Sequence, residues 1–248
     1  MTSDHLVGDH AYGTPGTIGG VTTGPRSYGQ VCPLALSMDL LGERWTMLVV
    51  RELLLGPKRF GDLGRRLDGV GPNRLTKRLR LLQSHGVVDR TEAGAYVLTS
   101  EGEGLREPVI ALAIWGLRLM AEGDLAQARP DMVALCMTGA VDPQRLAGLD
   151  LTCEFDVGGV FTVGVHGGRM TTVSGSSTID PTSRVTCVPT TFLAIAAGYQ
   201  DFEEALRSDE VHVEGSADAA ASLLATFTDT CSAYLRSAPM AAGQRNVL

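Results

Sequence analysis

Residues 70–91 hold side chains that can hydrogen-bond to bases and phosphates, and they hold them at helical spacing. An apolar face is formed by three leucines, Leu75, Leu79 and Leu82. The opposite face is formed by one amide and three cations, Asn73, Arg74, Lys77 and Arg80. Proteins insert helices with such a cationic face into a groove of DNA, although an ordinary solvent-exposed helix can carry the same pattern. The neighbouring elements are needed to distinguish a DNA-binding helix from an ordinary solvent-exposed helix.

The segments that precede the cationic helix also have helical patterns. Apolar residues at helical spacing predict two helices within residues 32–54 and a short helix over 60–67. A glycine-containing turn at 68–71 joins the short helix to the cationic helix, predicted over 72–85. A short turn of this kind is what a helix-turn-helix pair requires.

The segments that follow the cationic helix predict a wing. β-Rich runs at 87–91 and 96–99 flank a glycine turn and predict a hairpin. A long apolar helix is predicted over 101–122, with a kink or a restart at Pro108. Helices followed by a hairpin and another helix have the order of a winged helix-turn-helix domain, which favours the DNA-binding interpretation.

Charge is distributed unevenly along the 248 residues, whose formal net charge is -7. Residues 57–90 hold nine basic and three acidic side chains, whereas residues 123–248 hold seven arginines and fifteen acids. The first block therefore presents a cationic surface, while the second repels polyanions.

Several classes of protein are not expected from this sequence. The five cysteines are odd in number, widely spread and without a CxxC pair, which disfavours a disulfide framework or a zinc site. Neither a secretory signal nor an apolar run long enough to cross a bilayer is visible. No catalytic motif is present either. We expect a cytoplasmic protein that is not an enzyme, has no cofactor or metal, and does not bind membranes.

The second half of the chain changes from helical to alternating periodicity. Polar and apolar residues alternate over 151–157 and 161–165, and shorter β-rich runs and helices follow as far as residue 227. A helix is also predicted over 131–138, before the first strand. Strands that precede helices predict an α+β fold in which helices cover a sheet.

Residues 32–116 closely resemble the HxlR-type winged helix-turn-helix regulators. The resemblance is carried by CPLALSMDLLGERWTMLVVRELLLGPKRFGDL, by the Gly-Pro-Asn start of the cationic helix, and by YVLTSEGEGLREPVIALAIWG. It implies a dimeric transcription factor that binds double-stranded operator DNA, most often as a repressor.

Residues 142–227 more loosely resemble sterol-carrier-protein-2-like (SCP2-like) domains. The resemblance is carried by LTCEFDV, GVFTVGV, the GGRM turn, RVTCVPTTFLAIAAG and DFEEALRSDEVHVEGSADAAASLLATF. It implies a pocket for an apolar or amphipathic small molecule, although the same residues would serve as ordinary core. The predicted lining is Phe155, Phe161, Val163, Phe192, Ile195, Tyr199 and Phe202.

DNA contacts are predicted from the position of each cation and amide on these elements. Residues for base or groove contacts lie near the start of the cationic helix: Asn73, Arg74 and Lys77, with Arg78 beside them. Residues for phosphate or flanking contacts lie on the preceding helix and on the wing: Arg65, Arg66 and Arg90.

Dimerisation and thiol chemistry give two further expectations. The apolar helix over 101–122 is the predicted dimer interface, since a single recognition helix usually works as one of a two-fold pair. Cys32 precedes Pro33 at a predicted helix start, where the helix dipole can activate a thiol. Cys32 is therefore a candidate redox site, with a small buried side chain as the alternative.

The sequence predicts a mainly α winged helix-turn-helix domain followed by an α+β SCP2-like domain. The segments are a flexible N-terminal tail, a DNA-binding and dimerisation domain, a helical connector, the SCP2-like domain and a C-terminal tail: 1–29, 30–122, 123–141, 142–236 and 237–248. The leading hypothesis is a repressor whose operator binding responds to an apolar ligand in the second domain. The alternatives are a thiol-based sensor acting through Cys32, with the second domain as a dimer brace, and an apolar-ligand carrier.

Overall fold

The computed structural model describes residues 27–120, 123–124 and 127–237. Most of the predicted N-terminal tail, and all but the first residue of the predicted C-terminal tail, lie outside these residues. The described start of the chain is held against the first helix, because the Tyr28 amide and the Ser27 hydroxyl both donate to the Asp39 carboxylate.

The first part of the described chain has the helical order that the sequence predicts. Its elements are α1 Pro33–Leu41, α2 Thr46–Leu54, α3 Phe60–Arg66, α4 Pro72–Ser84, β1 Val88–Arg90, β2 Tyr96–Leu98, α5 Ser100–Glu103 and α6 Arg106–Gly116. The hairpin strands pair antiparallel, and Lys58 adds a bridge to Tyr96 on the open side of β2.

The two residues at the start of helix α4 explain why the helix begins there. Gly71 has a φ of 59°, a left-handed conformation that glycine adopts without a steric penalty. Pro72 follows in the first turn, where its missing amide hydrogen costs no helical bond. The three leucines of the predicted apolar face are buried beneath the helix, so its register agrees with the sequence pattern.

The long helix predicted over 101–122 is divided into two. Helix α5 ends at Glu103 and α6 restarts at Arg106, so Pro108 falls in the first turn of α6. The restart therefore comes two residues earlier than Pro108 itself, because a proline is accommodated in a first helical turn and not in a helix interior. A 3-10 helix, Leu117–Leu119, continues α6, and residues 121–122 lie outside the described part.

The second part of the described chain is a mixed sheet covered by helices. Its elements are α7 Pro130–Ala140, β3 Leu151–Asp156, β4 Val160–His166, β5 Arg169–Ser174, β6 Ser183–Cys187, α8 Pro189–Ala197, α9 Phe202–Arg207, β7 Val211–Gly215 and α10 Ala217–Ser237. The strand order is β5-β4-β3-β6-β7, with β3 and β6 parallel and the other neighbours antiparallel. This arrangement agrees with the predicted α+β class.

Two hydrophobic cores lie on either side of α7, which contributes to both. Leu135 packs into the core of the helical part, whereas Val133, Ala134 and Met137 pack into the core of the sheet part. The segment predicted as a connector is therefore a shared structural helix, because its successive side chains point into different domains.

Candidate functional site

The start of α4 presents an exposed polar surface. The side chains of Asn73, Arg74 and Lys77 are exposed and have no hydrogen bond or ion pair to any other described residue. Cations that are not neutralised within the protein are available to phosphates and base edges. These three residues lie together on one face, as the sequence predicts.

The other cations predicted to contact DNA are partly engaged within the chain. Arg65 is exposed and pairs with Asp62 one turn earlier on α3. Arg78 is largely buried, and its Nη2 lies 3.5 Å from Glu43 Oε2. Arg90 lies over the Tyr96 ring at 5.1 Å and donates to the Gly94 carbonyl at 3.2 Å, which stiffens the wing.

Arg66 is placed differently from the expectation. Its Nε donates to Glu52 Oε2 at 2.7 Å, and its Nη2 pairs with Asp131 at the start of α7. The side chain is mostly buried, and these contacts turn its guanidinium toward the second domain. The structure therefore gives Arg66 a role in joining the domains, which could not be seen locally because its partner Asp131 lies 65 residues away.

Arg66 belongs to an interdomain ion-pair cluster, defined as Glu52, Arg66, Arg129 and Asp131. Glu52 is fully buried, and Arg129 Nη1 lies 3.0 Å from its Oε1. Burial alone would raise the pKa of Glu52, but hydrogen bonds from Arg129 and Arg66 outweigh it and lower that pKa. Glu52 is therefore held as a carboxylate between arginines from both domains.

A cationic hollow lies between the α1–α2 turn and α4. Its volume is about 350 Å³, and it is lined by Glu43, Arg44, Trp45, Arg74, Lys77 and Arg78. The Arg44 guanidinium lies 5.6 Å from the centre of the Trp45 ring. The sequence prediction missed Arg44 and Trp45, since no periodic pattern links a turn before α2 to a helix some 30 residues later.

Helices α1 and α6, with the 3-10 turn after α6, leave large apolar side chains exposed. Leu34 and Leu36 lie on α1, and Leu112, Trp115 and Leu119 lie on α6 and the following turn. Several exposed large apolar residues on one element are typical of a protein–protein interface. Helix α6, which lies in the segment predicted as the dimer interface, therefore exposes the apolar side chains that an interface needs.

Cys32 differs from the other cysteines in its surroundings. It is half-buried at the N-cap of α1, and its side chain makes no cap hydrogen bond. Burial raises the pKa of the Cys153, Cys187 and Cys231 thiols to about 11, and it also raises the pKa of Cys136. Because the thiolate is the reactive form, these four thiols are poorly suited to chemistry near neutral pH.

The predicted ligand-lining residues fall into three environments. Phe155, Phe161 and Phe192 pack on one another with ring centroids 5.1 to 5.6 Å apart. Val163 is also fully buried, whereas Tyr199 is 76% exposed. The stacked rings occupy the interior between sheet and helices, where the resemblance had implied a pocket.

The remaining two predicted residues line a cleft between the helices of the second domain. This cleft has a volume of about 250 Å³ and combines an apolar floor with a polar rim. The buried floor includes Ile195, Phe202 and Leu224, and the rim includes the exposed Ala225 with Gln200, Asp201, Glu203 and Asp229. A small amphipathic molecule matches such a lining better than a wholly apolar one.

None of the helices within the described residues is long and apolar enough to cross a membrane.

The helical domain matches a known family of DNA-associated proteins. The HxlR-like helix-turn-helix family matches residues 40–124. A Synechocystis protein described as an uncharacterized HTH-type transcriptional regulator is 37% identical over 90 residues, which are 34% of this chain and 67% of that protein. The chain thus belongs to the HxlR-like helix-turn-helix family of transcriptional regulators.

Two further relatives match the same domain. An HTH-type transcriptional regulator of Mycobacterium tuberculosis is 40% identical over 32% of this chain, and the chain spans 54% of its length. The crystal structure of quinone-bound YodB from Bacillus subtilis has 30% identity and a TM-score of 0.33, over 34% of this chain and 96% of that one.

The second domain matches a different family from the one that its sequence motifs suggest. The alkyl sulfatase C-terminal family matches residues 119–234. The described helices and mixed sheet are consistent with the predicted α+β class, but the SCP2-like assignment is not confirmed.

Proposed function

We propose that this protein is a dimeric, DNA-binding transcriptional repressor whose DNA affinity is set by a small amphipathic molecule bound in the second domain. The observation that carries the proposal is the physical connection between the two domains. Glu52 and Arg66 of the helical domain share the interdomain ion-pair cluster with Arg129 and Asp131. Membership of a transcriptional-regulator family favours this function over a ligand carrier.

DNA binding is supported by the exposed face of α4. Arg74 and Lys77 have no partner among the described residues, so each can release a counterion when it meets a phosphate. Asn73 beside them can hydrogen-bond to a base edge, which supplies sequence discrimination.

Dimerisation is supported by the exposed apolar side chains of α1 and α6. Leu112 and Trp115 would be buried against a second copy of the chain, which would bring two recognition helices into one assembly. Two such helices can read half-sites about one helical turn apart.

Ligand response is supported by the contacts that connect the cleft-bearing domain to α2 and α3. The Ser174 amide at the end of β5 donates to the Leu55 carbonyl at 2.8 Å, beside the interdomain cluster. A ligand that binds one orientation of the second domain more tightly shifts the population of α3–α4 orientations, and DNA affinity changes with it.

The experiment uses Nile red, a neutral dye whose apolar aromatic body carries polar carbonyl and amine groups, and a 20-base-pair duplex with the full chain. The wild type is expected to bind the dye and then to hold DNA several-fold more weakly. Ala225→Trp fills the cleft and is expected to abolish both effects, whereas Ser222→Trp, on an exposed position of α10 outside the cleft, retains them. Saturation of the cleft by the dye with no change in DNA affinity would contradict the ligand response.

A second candidate function is redox or electrophile sensing through Cys32, with the second domain as a dimer brace. The half-buried position of Cys32 beside the exposed Val31 and Leu34 favours it, because dimerisation through α1 would bring two thiols near each other. DNA release by the oxidant diamide in the wild type but not in Cys32→Ser, with Nile red inert, would select this candidate.

A further inference from the structure

The N-terminus of α2 is a helix start without the usual caps. Trp45 occupies the N-cap with a φ of 81°, its side chain makes no cap hydrogen bond, and no acid lies in the first turn. The first amides of a helix point outward and carry a partial positive charge. This nine-residue helix therefore presents an uncompensated positive end.

Two buried polar atoms at the same helix start have no partner among the described residues. They are the indole Nε1 of Trp45 and the hydroxyl of Thr46, whose side chain is fully buried. A buried donor without an acceptor costs about 1–3 kcal/mol, so such groups usually have a partner in the working complex. Trp45 is also a large side chain in the left-handed conformation, which is uncommon and concentrates at functional sites.

Positive side chains line the cationic hollow beside this helix start, and they come from two elements. Arg44 precedes α2, and Arg74 and Lys77 reach the cationic hollow from the exposed face of α4. Glu43 is the single acid in the lining, and it lies against Arg78. A phosphate group matches this set, because it offers several acceptor oxygens and a negative charge at one point.

We infer that the cationic hollow binds a backbone phosphate of DNA, with Arg44, Arg74 and Lys77 as its counter-charges and the Trp45 ring as part of its wall. This inference rests on the proposed DNA-binding function and adds the α1–α2 turn to the interface. The hollow opens beside the first turns of α4, so a phosphate seated there flanks the groove that α4 enters. The contact fixes the position of α4 along the strand and carries no base preference.

Two substitutions at Arg44 test the contribution of its charge. Arg44→Gln removes the charge from an exposed side chain, and it is expected to lower the slope of log K against log salt by about 0.9. Arg44→Lys keeps a positive charge at the same position, and it is expected to keep the wild-type slope. Arg207→Gln is the matched control, because it removes the same charge from an exposed position in the second domain.

The indole signals give a readout that does not depend on affinity. The chain has two tryptophans, and Trp45→Phe assigns the Trp45 indole N–H in a ¹⁵N spectrum of the full chain. Addition of duplex DNA is expected to shift that signal. The inference is overturned, and the proposed function is not, if the duplex binds while the Trp45 signal does not move and Arg44→Gln keeps the wild-type salt slope. A shift with inorganic phosphate but none with DNA also overturns it, and assigns the hollow to a free anion.

Failure of the proposed function has a different signature. A flat salt dependence in the wild type means that the chain does not neutralise phosphates, and then both proposals fail together. Far-ultraviolet circular dichroism of each variant establishes that it folds. If Trp45→Phe does not fold, the salt slope of Arg44→Gln still tests the inference, because Arg44 is exposed.

Discussion

At the residue scale, the neighbours of each cation decide its chemistry. Lys77 and Lys58 are both lysines of the basic segment, yet Lys77 is exposed and Lys58 is buried. The Lys58 Nζ donates to the carbonyls of Leu55 and Gly56, each at 3.0 Å. Burial, followed by the charge of Arg66, lowers the pKa of Lys58 to about 8.

This lowered pKa predicts a pH-dependent contribution to stability. Between about pH 8 and 10.5 the unfolded chain binds the Lys58 proton and the folded chain does not, so stability relative to Lys58→Met rises with pH. The full change is on the order of 3 kcal/mol. It is measured by urea unfolding of both proteins at several pH values, with exposed Lys77→Met as the control variant.

The comparison with Lys58→Met is needed because buried thiols act in the opposite direction. Cys153, Cys187 and Cys231 have their pKa raised to about 11 from 9.0, so their contribution to stability is lost between those values as pH rises. That loss is common to both proteins and cancels in the difference. If the difference in unfolding free energy between the wild type and Lys58→Met does not change with pH, the pKa of Lys58 is not lowered in the folded chain.

At the element scale, the crossing of α6 and α7 depends on one glycine. A Cβ built on Gly139 would lie 2.6 Å from Ile110 Cγ2, well inside van der Waals contact. Gly139→Ala is therefore expected to destabilise the fold by about 1–3 kcal/mol, because Ile110 has to move out of a packed core. Chemical denaturation measures this change.

Two further variants make this prediction specific. Gly116→Ala adds a methyl group to α6 in open space, so it is expected to be neutral or to stabilise by up to about 1 kcal/mol. Ile110→Ala removes the obstructing methyl group, so the double variant Gly139→Ala/Ile110→Ala is expected to lose less stability than the two single losses combined. Additive losses would mean that these two side chains do not meet.

The elements themselves follow from the sequence where short-range interactions dominate. Leu75, Leu79 and Leu82 gave the register of α4, and alternation over 151–157 gave strand β3. The division near Pro108 was predicted, but its position was not, since the first-turn preference of proline leaves several starts open. Element ends depend on a few competing hydrogen bonds, whereas periodicity sums over many residues.

At the scale of the whole molecule, the interdomain ion-pair cluster joins two domains of opposite charge. Glu52→Gln is expected to destabilise the chain by about 1–3 kcal/mol, because the partly buried guanidinium groups of Arg66 and Arg129 lose one of their two carboxylates and keep only Asp131. The two domains are then expected to unfold in separate steps, where the wild type unfolds in one. Calorimetry and urea unfolding followed by tryptophan fluorescence measure both effects.

An exposed ion pair in the same chain provides the control. Arg145 and Asp229 are about half-exposed, so Asp229→Asn is expected to cost less than about 1 kcal/mol. Equal effects of Glu52→Gln and Asp229→Asn would refute the idea that the buried cluster couples the domains. If Glu52→Gln loses much stability but still unfolds in a single transition, the cluster contributes to stability without coupling the two domains.

Local sequence patterns predict the order of the elements, the cationic face of α4 and the α+β class of the second domain. Each of these features depends on the spacing of nearby residues, so local periodicity is enough to recover it. Long-range packing, in contrast, places Arg66 against Asp131, packs the phenylalanines of the second domain on one another, and gives α7 a part in two cores. These outcomes depend on which surfaces pack together in three dimensions. The contacting residues lie far apart in the chain, so no local sequence pattern predicts the contact.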